Sequence, residues 1–227
     1  MDKKISRYYF NSKAVFKSLP EIDAALLRNN CKLRRVRKGK DLFSQGSFPR
    51  GVYILKGGRV KLYQRSADGT EQMVYIYTYG EMFGYRPLLC NSTHPASATT
   101  MEDCAIYFIS APHFLRVLAE SAALSNLILQ NLSHEFTILV NRIAAFSQRS
   151  AKERLALSLL ILREKYRKPN GQHGDINMTR QDMASFVGTT NETLARLLTK
   201  LKSEGVIKTF GRRLQILNIK TLHSMMD

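Results

Sequence analysis

The spacing of hydrophobic positions changes along this chain, and its first part has the spacing of β-strands. Residues 14–30 have a helical period, and residues 33–110 then form short hydrophobic runs separated by glycines. Within these runs apolar residues alternate with others, as at Val52 and Ile54, which is typical of strands. Asp68-Gly69 between two runs indicates a hairpin. Residues 1–110 are therefore predicted to form an all-β module with a helix near its start.

A helical period returns near Pro112 and continues to Phe146 without another proline or glycine. This predicts one long helix over residues 111–146, which exceeds an ordinary globular helix and needs support from another surface. A stripe of apolar residues follows it: Leu124, Leu127, Ile128, Leu132, Ile138, Leu139 and Ile143. We interpret the stripe as a dimer seam in preference to a face packed on its own domain. The mixture of strands and helices places the chain in the α+β class.

The remaining residues, 147–227, have the pattern of a compact helical domain that ends in a hairpin. Residues 147–150 are the predicted hinge, residues 151–166 a helix, and residues 168–174 the loop that ends it. Two short helices follow. Thr179 and Asp182 have the spacing of a capping box, Gly188 supplies a turn, and Thr190 can cap the second helix.

The second of these short helices has one apolar and one polar face. Leu194, Leu197, Leu198 and Leu201 recur at helical spacing, which leaves the following residues outward: Asn191, Glu192, Ala195, Arg196, Thr199 and Lys200. A helix that reads the major groove needs such a face, although a helical hairpin with a solvated face has the same pattern. Residues 206–217 favour the DNA-binding interpretation, because they predict a basic hairpin with its tip at residues 210–213. Together these elements form a winged helix-turn-helix.

The charge of the chain agrees with a polyanionic partner. Lys and Arg number 35 against 18 Asp and Glu, which gives a net charge of +17 and an isoelectric point near 10.0. Such a charge attracts nucleic acids but does not identify one. Seven basic residues lie close together upstream in the sequence: Arg28, Lys32, Arg34, Arg35, Arg37, Lys38 and Lys40. They could form a second contact surface for DNA or a protein, but we favour a solvated face.

Several classes of protein are not favoured by this sequence. No apolar run reaches the roughly 18 residues of a membrane span, and the first residues lack the apolar region of a secretory signal, so a cytoplasmic protein is expected. Cys31, Cys90 and Cys104 are too widely spaced for a disulfide framework, a zinc site or an iron-sulfur cluster, and we expect them to be buried. Nucleophile, P-loop and metalloprotease motifs are missing, so neither an enzyme nor a metal site is predicted.

The order of these parts resembles the cyclic-AMP receptor protein and fumarate-nitrate regulator (CRP/FNR) family of bacterial transcription factors. The motifs are Gly39-x-x-Leu42-x-x-x-Gly46, the stretch from Gly51 to Val60, Gly80-Glu81-Met-Phe-Gly84, and Thr179 through Arg196. The resemblance implies a cyclic-nucleotide-binding-like β-roll (jelly roll) over residues 1–110. It also implies a dimerisation helix over residues 111–146 and a winged helix-turn-helix over residues 147–227. The implied partners are a two-fold-related double-stranded DNA operator, a second copy of the chain, and RNA polymerase.

The resemblance also assigns roles on the DNA. Glu192 and Arg196 match the positions at which family members carry base-reading Glu and Arg. Asn191 matches the position at which the cyclic-AMP branch has another base-reading Arg. An Arg side chain can donate hydrogen bonds to guanine O6 and N7, and a Glu side chain can accept one from cytosine N4. A second set is expected to meet phosphates, which set register and affinity without reading sequence: Thr179, Arg180, Thr190, Lys200, Lys208, Arg212 and Arg213.

The chain departs from the family at the effector pocket. Gly80 and Glu81 match the Gly-Glu of the family's pocket and are candidate effector-pocket residues. In members that bind cyclic AMP an Arg-Ser-Ala stretch follows after a short loop, whereas residues 93–98 here contain no Arg. A phosphate without a cationic partner is costly to bury. The Thr-Ser pair that meets the adenine is also missing at residues 137–140.

The remaining polar residues near this stretch, Arg86, His94 and Ser97, are candidates for an effector pocket. Cyclic AMP is not the expected effector, no cofactor is assured, and an unknown small molecule is the remaining candidate. The alternative function is a cyclic-nucleotide-binding regulatory module that acts through protein contacts. It predicts nucleotide affinity without sequence-specific DNA binding.

Overall fold

The computed structural model describes residues 5–9, 14–167 and 171–226. The chain divides into two compact units. The first consists of residues 11–134, and the second joins residues 1–10 to residues 135–227. The division therefore falls inside the stretch predicted as a long helix, and residues 5–9 belong to the unit that contains the C-terminal part of the chain.

Antiparallel strands make up most of the first unit. Its helices are α1 (Val15–Ser18), α2 (Glu21–Asn29), α3 (Arg86–Leu89) and α4 (Ala111–Glu120). Its strands are β1 (Lys32–Val36), β2 (Asp41–Phe43), β3 (Gly51–Gly57), β4 (Val60–Arg65), β5 (Glu71–Tyr77), β6 (Met82–Phe83), β7 (Ser97–Thr100) and β8 (Cys104–Ser110). They form two four-stranded sheets, ordered β1-β8-β3-β6 and β2-β7-β4-β5. The predicted all-β module is confirmed.

Strand β3 shows how the sequence builds this core on both sides of one sheet. Val52 and Ile54 lie in a cluster with helical residues such as Leu27 and Phe114. Tyr53 and Leu55 lie in a second cluster with residues of both sheets, including Val60. Successive side chains of a strand point to opposite faces, so a continuous apolar run is needed where both faces are covered.

The predicted hairpin at Asp68-Gly69 is confirmed between β4 and β5. Their antiparallel pairing runs from Val60 opposite Tyr77 to Arg65 opposite Glu71, with a shift of register between Leu62 and Tyr63. Gly69 has φ +85°, a left-handed conformation that suits glycine. The Asp68 carboxylate accepts hydrogen bonds from the Ser66 hydroxyl at 2.5 Å and the Thr70 amide at 3.0 Å. The turn is thus closed by its own side chains.

The prediction of one helix over residues 111–146 is wrong. Helix α4 ends at Glu120, and α5 begins afresh and runs Ala122–Gln148. Between them Ser121 is extended, with φ −110° and ψ 102°, and its hydroxyl accepts a hydrogen bond from the Leu124 amide at 3.0 Å. A serine side chain can replace a helical partner in this way, so neither proline nor glycine is needed for the break.

The predicted apolar stripe divides into two parts. Leu124, Leu127 and Ile128 are buried in the core of the first unit. Leu139 and Ile143, by contrast, are 44% and 69% exposed. The exposed part also contains residues that were not predicted to belong to the stripe: Leu129, Phe136 and Val140.

The second unit contains the predicted helices and hairpin. Its elements are a 3-10 helix (Ser6–Tyr8), α6 (Ala151–Lys165), β9 (Ile176–Asn177), α7 (Arg180–Val187), α8 (Asn191–Ser203), β10 (Ile207–Phe210), β11 (Arg213–Ile216) and α9 (Ile219–Ser224), together with part of α5. A capping box of Ser150 and Glu153 starts α6. The strands form one sheet in the order β10-β11-β9. Of the predicted loop 168–174, residues 168–170 lie outside the described residues.

Candidate DNA-binding surface

The predicted helix-turn-helix is formed by α7 and α8. The Thr179 hydroxyl accepts a hydrogen bond from the Asp182 amide at 3.0 Å, and the Thr190 hydroxyl accepts one from the Thr193 amide at 3.2 Å. Between the helices Gly188 has φ +70° and ψ +51°. A residue with a Cβ atom adopts this conformation at a cost of roughly 1–2 kcal/mol, which explains the glycine.

Both helices bury an apolar face, and the buried face of α8 is the one that the sequence predicts. Met183, Ala184 and Val187 of α7 are at most 4% exposed. The four leucines of α8 are at most 8% exposed: Leu194, Leu197, Leu198 and Leu201. The six residues predicted to face outward are all exposed. Phe186, which the sequence analysis did not name, is also buried.

The candidate base readers lie on the first two turns of α8. Asn191, Glu192 and Arg196 are exposed, and within the described chain the side chains of Glu192 and Arg196 have neither a hydrogen bond nor an ion pair. Their donors and acceptors are thus available to an outside partner. The helix N-terminus also contributes partial positive charge beside them.

Four candidate phosphate contacts are exposed cations: Lys200, Lys208, Arg212 and Arg213. Lys200 Nζ lies 3.9 Å from the Glu204 carboxylate, and Lys208 Nζ lies 4.9 Å from the centre of the Phe210 ring. Both contacts are at the surface and easily exchanged for a phosphate.

Thr179 and Thr190 use their hydroxyls inside the protein. The Thr179 hydroxyl donates to Asp182 Oδ2 at 2.7 Å, and the Thr190 hydroxyl donates to Thr193 Oγ1 at 3.0 Å. Each hydroxyl oxygen therefore caps a helix, and each hydroxyl proton is already donated to a neighbouring side chain. Their contacts with phosphates stay predictions.

Arg180, the first residue of α7, connects the helix-turn-helix to the wing, the hairpin of β10 and β11. Its Nη2 atom donates to the Gly211 carbonyl at 3.2 Å, and its buried Nη1 atom has no hydrogen-bond partner among the described residues. The side chain borders a groove of about 250 Å³ whose other polar lining residues are Asn191, Thr199, Lys202 and Thr209. Lys202 was not singled out from the sequence, because its place beside the wing depends on the tertiary fold.

At the predicted effector pocket, Glu81 is 1% exposed and its carboxylate is satisfied within the protein. It accepts hydrogen bonds from the Tyr75 hydroxyl at 2.6 Å, the Thr78 hydroxyl at 2.8 Å and the Thr78 amide at 2.5 Å. Gly80 is required beside it, since a Cβ atom there would lie 2.5 Å from Ala14 Cβ.

The other effector candidates have internal partners too. Arg86 Nη1 lies 3.4 Å from the Tyr77 hydroxyl, and the Ser97 hydroxyl accepts a hydrogen bond from the Gln45 amide at 2.9 Å. His94 is 3% exposed and stacks on Phe43 with 3.8 Å between ring centres. Burial lowers the pKa of His94, so its ring is held neutral.

Aromatic rings occupy the interior near these residues. Phe43 contacts Tyr53, Tyr53 stacks on Phe83, and Phe83 stacks on Tyr77, with ring centres 4.4–5.7 Å apart. Sequence reasoning missed this cluster. Its signal was the aromatic residues spread over β2, β3, β5 and β6, whose side chains point to one side of each strand.

The cysteines differ from the expectation that all three are buried. Cys104 is buried, Cys31 is half-buried and Cys90 is exposed. Burial raises the pKa of Cys31 and of Cys104 to about 11, so both are thiols at neutral pH. Across the described ranges, no group of three or more His, Cys, Asp or Glu side chains could hold a metal ion.

Comparison with known proteins identifies the two parts of the chain. Residues 33–121 match the cyclic nucleotide-binding domain family, and residues 153–225 match the Crp-like helix-turn-helix domain family. The chain belongs to the CRP/FNR family of transcription regulators.

Individual CRP/FNR proteins match over most of the chain. Regulatory protein HlyX of Actinobacillus pleuropneumoniae is 27% identical over 183 residues, which cover 80% of this chain and 76% of that protein. The fumarate and nitrate reduction regulatory protein of Vibrio cholerae is 26% identical, covering 81% and 74% of the two chains.

The structure of FixK2 from Bradyrhizobium japonicum has the same fold, with a TM-score of 0.74 at 20% identity. It covers 86% of this chain and 96% of that one. The parts of this chain's fold are a β-roll, a long helix and a helix-turn-helix. In the portion that the structure describes, no helix has both the length and the apolar character to cross a membrane.

Proposed function

We propose that this CRP/FNR regulator is a dimer that reads a two-fold-related DNA site in the cytoplasm, with RNA polymerase as its protein partner. The observation that carries the proposal is the exposed face of α8, where the side chains of Glu192 and Arg196 have no hydrogen-bond or ion-pair partner within the described chain. One turn of helix separates them. Their spacing suits contacts with neighbouring base pairs in the major groove.

The exposed face of α5 supports the dimer. Leu129, Phe136 and Ile143 are 61–70% exposed and follow one another at intervals of seven residues. This is the repeat of a coiled-coil seam, and large exposed apolar residues in a row are costly to leave in water. A second α5 would cover them.

The effector of this regulator, in our proposal, is not cyclic AMP. The Glu81 carboxylate is already engaged by Tyr75 and Thr78, so a ribose hydroxyl would have to displace hydrogen bonds that exist. Residues 93–98 supply no arginine for the cyclic phosphate. The engaged carboxylate and the missing arginine both oppose the binding of cyclic AMP in a buried site.

Binding to a specific site can be separated from attraction by charge alone. A duplex that the protein selects from a random pool is compared with a scrambled duplex of equal length at the same salt concentration. The proposal expects the selected duplex to bind at least about a thousandfold more tightly. Equal affinity would mean that the charge of +17 explains the binding and that α8 reads nothing.

A further inference from the structure

Residues 5–9 pack as part of the DNA-binding unit, although they are far from it in sequence. Ile5, Tyr8 and Tyr9 are 1%, 7% and 8% exposed. The segment and residues 135–227 form one compact unit. The sequence did not predict this placement, since residues 1–110 were expected to form the β-module.

Contacts join the 5–9 segment to α5, to Arg149 that follows it, and to α6. The Asn141 side chain on α5 donates to the Arg7 carbonyl at 2.9 Å. The Arg149 guanidinium lies over the Tyr8 ring at 5.8 Å, and Lys165 Nζ on α6 lies over the Tyr9 ring at 5.0 Å. Cation–π contacts of this kind gain strength where water is excluded, as it is around Lys165, which is 3% exposed.

Through Arg154, Arg149 is also connected to the turn between α7 and α8. Its carbonyl accepts a hydrogen bond from Arg154 Nη1 at 2.9 Å. The Arg154 guanidinium also donates through Nη2 to the Gly188 carbonyl at 2.9 Å and through Nε to the Val187 carbonyl at 3.2 Å. These carbonyls end α7, where a cation is favoured by the helix dipole.

The contacts therefore form a continuous path from Tyr8 through Arg149 and Arg154 to the turn that precedes α8. We propose that residues 5–9 are a positioning segment for DNA recognition. They hold Arg149, and through it Arg154, so that the turn at Gly188 keeps α8 at one orientation. The proposal rests on the proposed DNA binding, and it adds a determinant that touches no DNA.

Affinity for DNA gives the first test. Tyr8→Leu removes the ring beneath Arg149, whereas Tyr8→Phe keeps it, and Tyr79→Leu alters an exposed tyrosine in the other unit. With a fluorescent duplex selected by the wild-type protein, we expect Tyr8→Leu to bind about threefold to tenfold more weakly. Tyr8→Phe and Tyr79→Leu should bind as the wild type does. Unchanged affinity of Tyr8→Leu would overturn the proposal.

A double-mutant cycle separates this path from a general loss of stability. Arg149→Met breaks the same contact from the other side, and it also removes the hydrogen bond from Arg149 Nη1 to the Met226 carbonyl at 2.9 Å. Adding Tyr8→Leu to Arg149→Met should therefore cause no further loss of affinity. Losses that simply add would show that the two residues act independently, contrary to the proposal.

Amide hydrogen exchange tests the path without DNA. Exchange at the Gly188 amide, which donates to the Ala184 carbonyl at 2.9 Å, should be faster in Tyr8→Leu than in the wild type and normal in Tyr8→Phe. If the wild type selects no duplex but exchange behaves in this way, the proposed function is wrong and the positioning path stands. Equal exchange in all three proteins would contradict the path whatever the DNA result.

Discussion

Arg196 and Arg212 are both exposed arginines, yet they occupy places with different consequences for DNA binding. Arg196 lies on the reading face of α8, while Arg212 lies at the tip between β10 and β11. A side chain that meets base edges discriminates between sequences, and one that meets phosphates does not.

Replacement by alanine should separate these roles. Arg196→Ala is expected to cost about 1–3 kcal/mol on the selected site and to relax the preference at one base pair. Arg212→Ala should weaken all duplexes alike and reduce the salt dependence by about one counterion. Titrations on single-base variants at several salt concentrations check both, with Arg116→Ala in the first unit as the control. A uniform loss in both variants would show that this division is wrong.

His94 makes the stability of the protein depend on pH. Because burial lowers its pKa in the folded state, the unfolded chain binds a proton near the ordinary pKa of about 6.5 while the folded chain does not. Its contribution is present above that pH and is lost as the pH falls toward the folded pKa.

His94→Phe, which retains a ring against Phe43, should therefore flatten the decline in stability below about pH 6.5. Urea unfolding at a series of pH values measures it, and His113→Phe at an exposed histidine is the control. A decline as steep in His94→Phe as in the wild type would show that His94 is not the group responsible.

The sequence predicted the exposed face of α8 because helical spacing alone decides which residues oppose the leucines. It could not predict how Arg180 is used, since the Gly211 carbonyl that it binds is 31 residues away. The effector candidates had the same limitation. Their partners, such as Tyr75 for Glu81 and Phe43 for His94, are set by the packing of the sheets.

At the level of elements, α5 combines two kinds of surface. Its beginning is covered by the core of the first unit, while Phe136 is 70% exposed. A charged group in the centre of a coiled-coil seam faces its own copy on the partner helix, and that arrangement opposes association.

Phe136→Glu should therefore shift the protein toward monomer, with a dimer dissociation constant at least about tenfold higher. Sedimentation equilibrium measures the shift. Phe48→Glu, at an exposed phenylalanine outside the helices, should leave association unchanged. If both variants associate as the wild type does, the face of α5 is not the seam.

Periodicity predicted most elements but not all of their boundaries. The strands of the first unit and the hairpin at Asp68-Gly69 followed from alternation and turn residues. The break at Ser121 did not, because the serine hydroxyl competes with a helical partner without changing the hydrophobic period. Strand β9, Ile176–Asn177, has only two residues and offers no pattern to detect.

For the whole molecule, the effector decides how DNA binding is controlled. Calorimetric titration with cyclic AMP and cyclic GMP should give no binding at micromolar concentrations, because Glu81 is satisfied internally and residues 93–98 bring no arginine. The Arg86→Ala variant is titrated alongside. Micromolar binding that disappears in this variant would contradict the account and identify Arg86 as the phosphate ligand. Binding that survives would place the pocket elsewhere.

The central claim is that two copies of this chain read one DNA site through α8. The consensus that the wild-type protein selects from a random pool of duplexes tests it most directly. The account predicts two inverted half-sites whose centres lie about 10 to 11 base pairs apart, each with G and C positions for Arg196 and Glu192. A pool without enrichment, or a consensus with a single half-site, would contradict it.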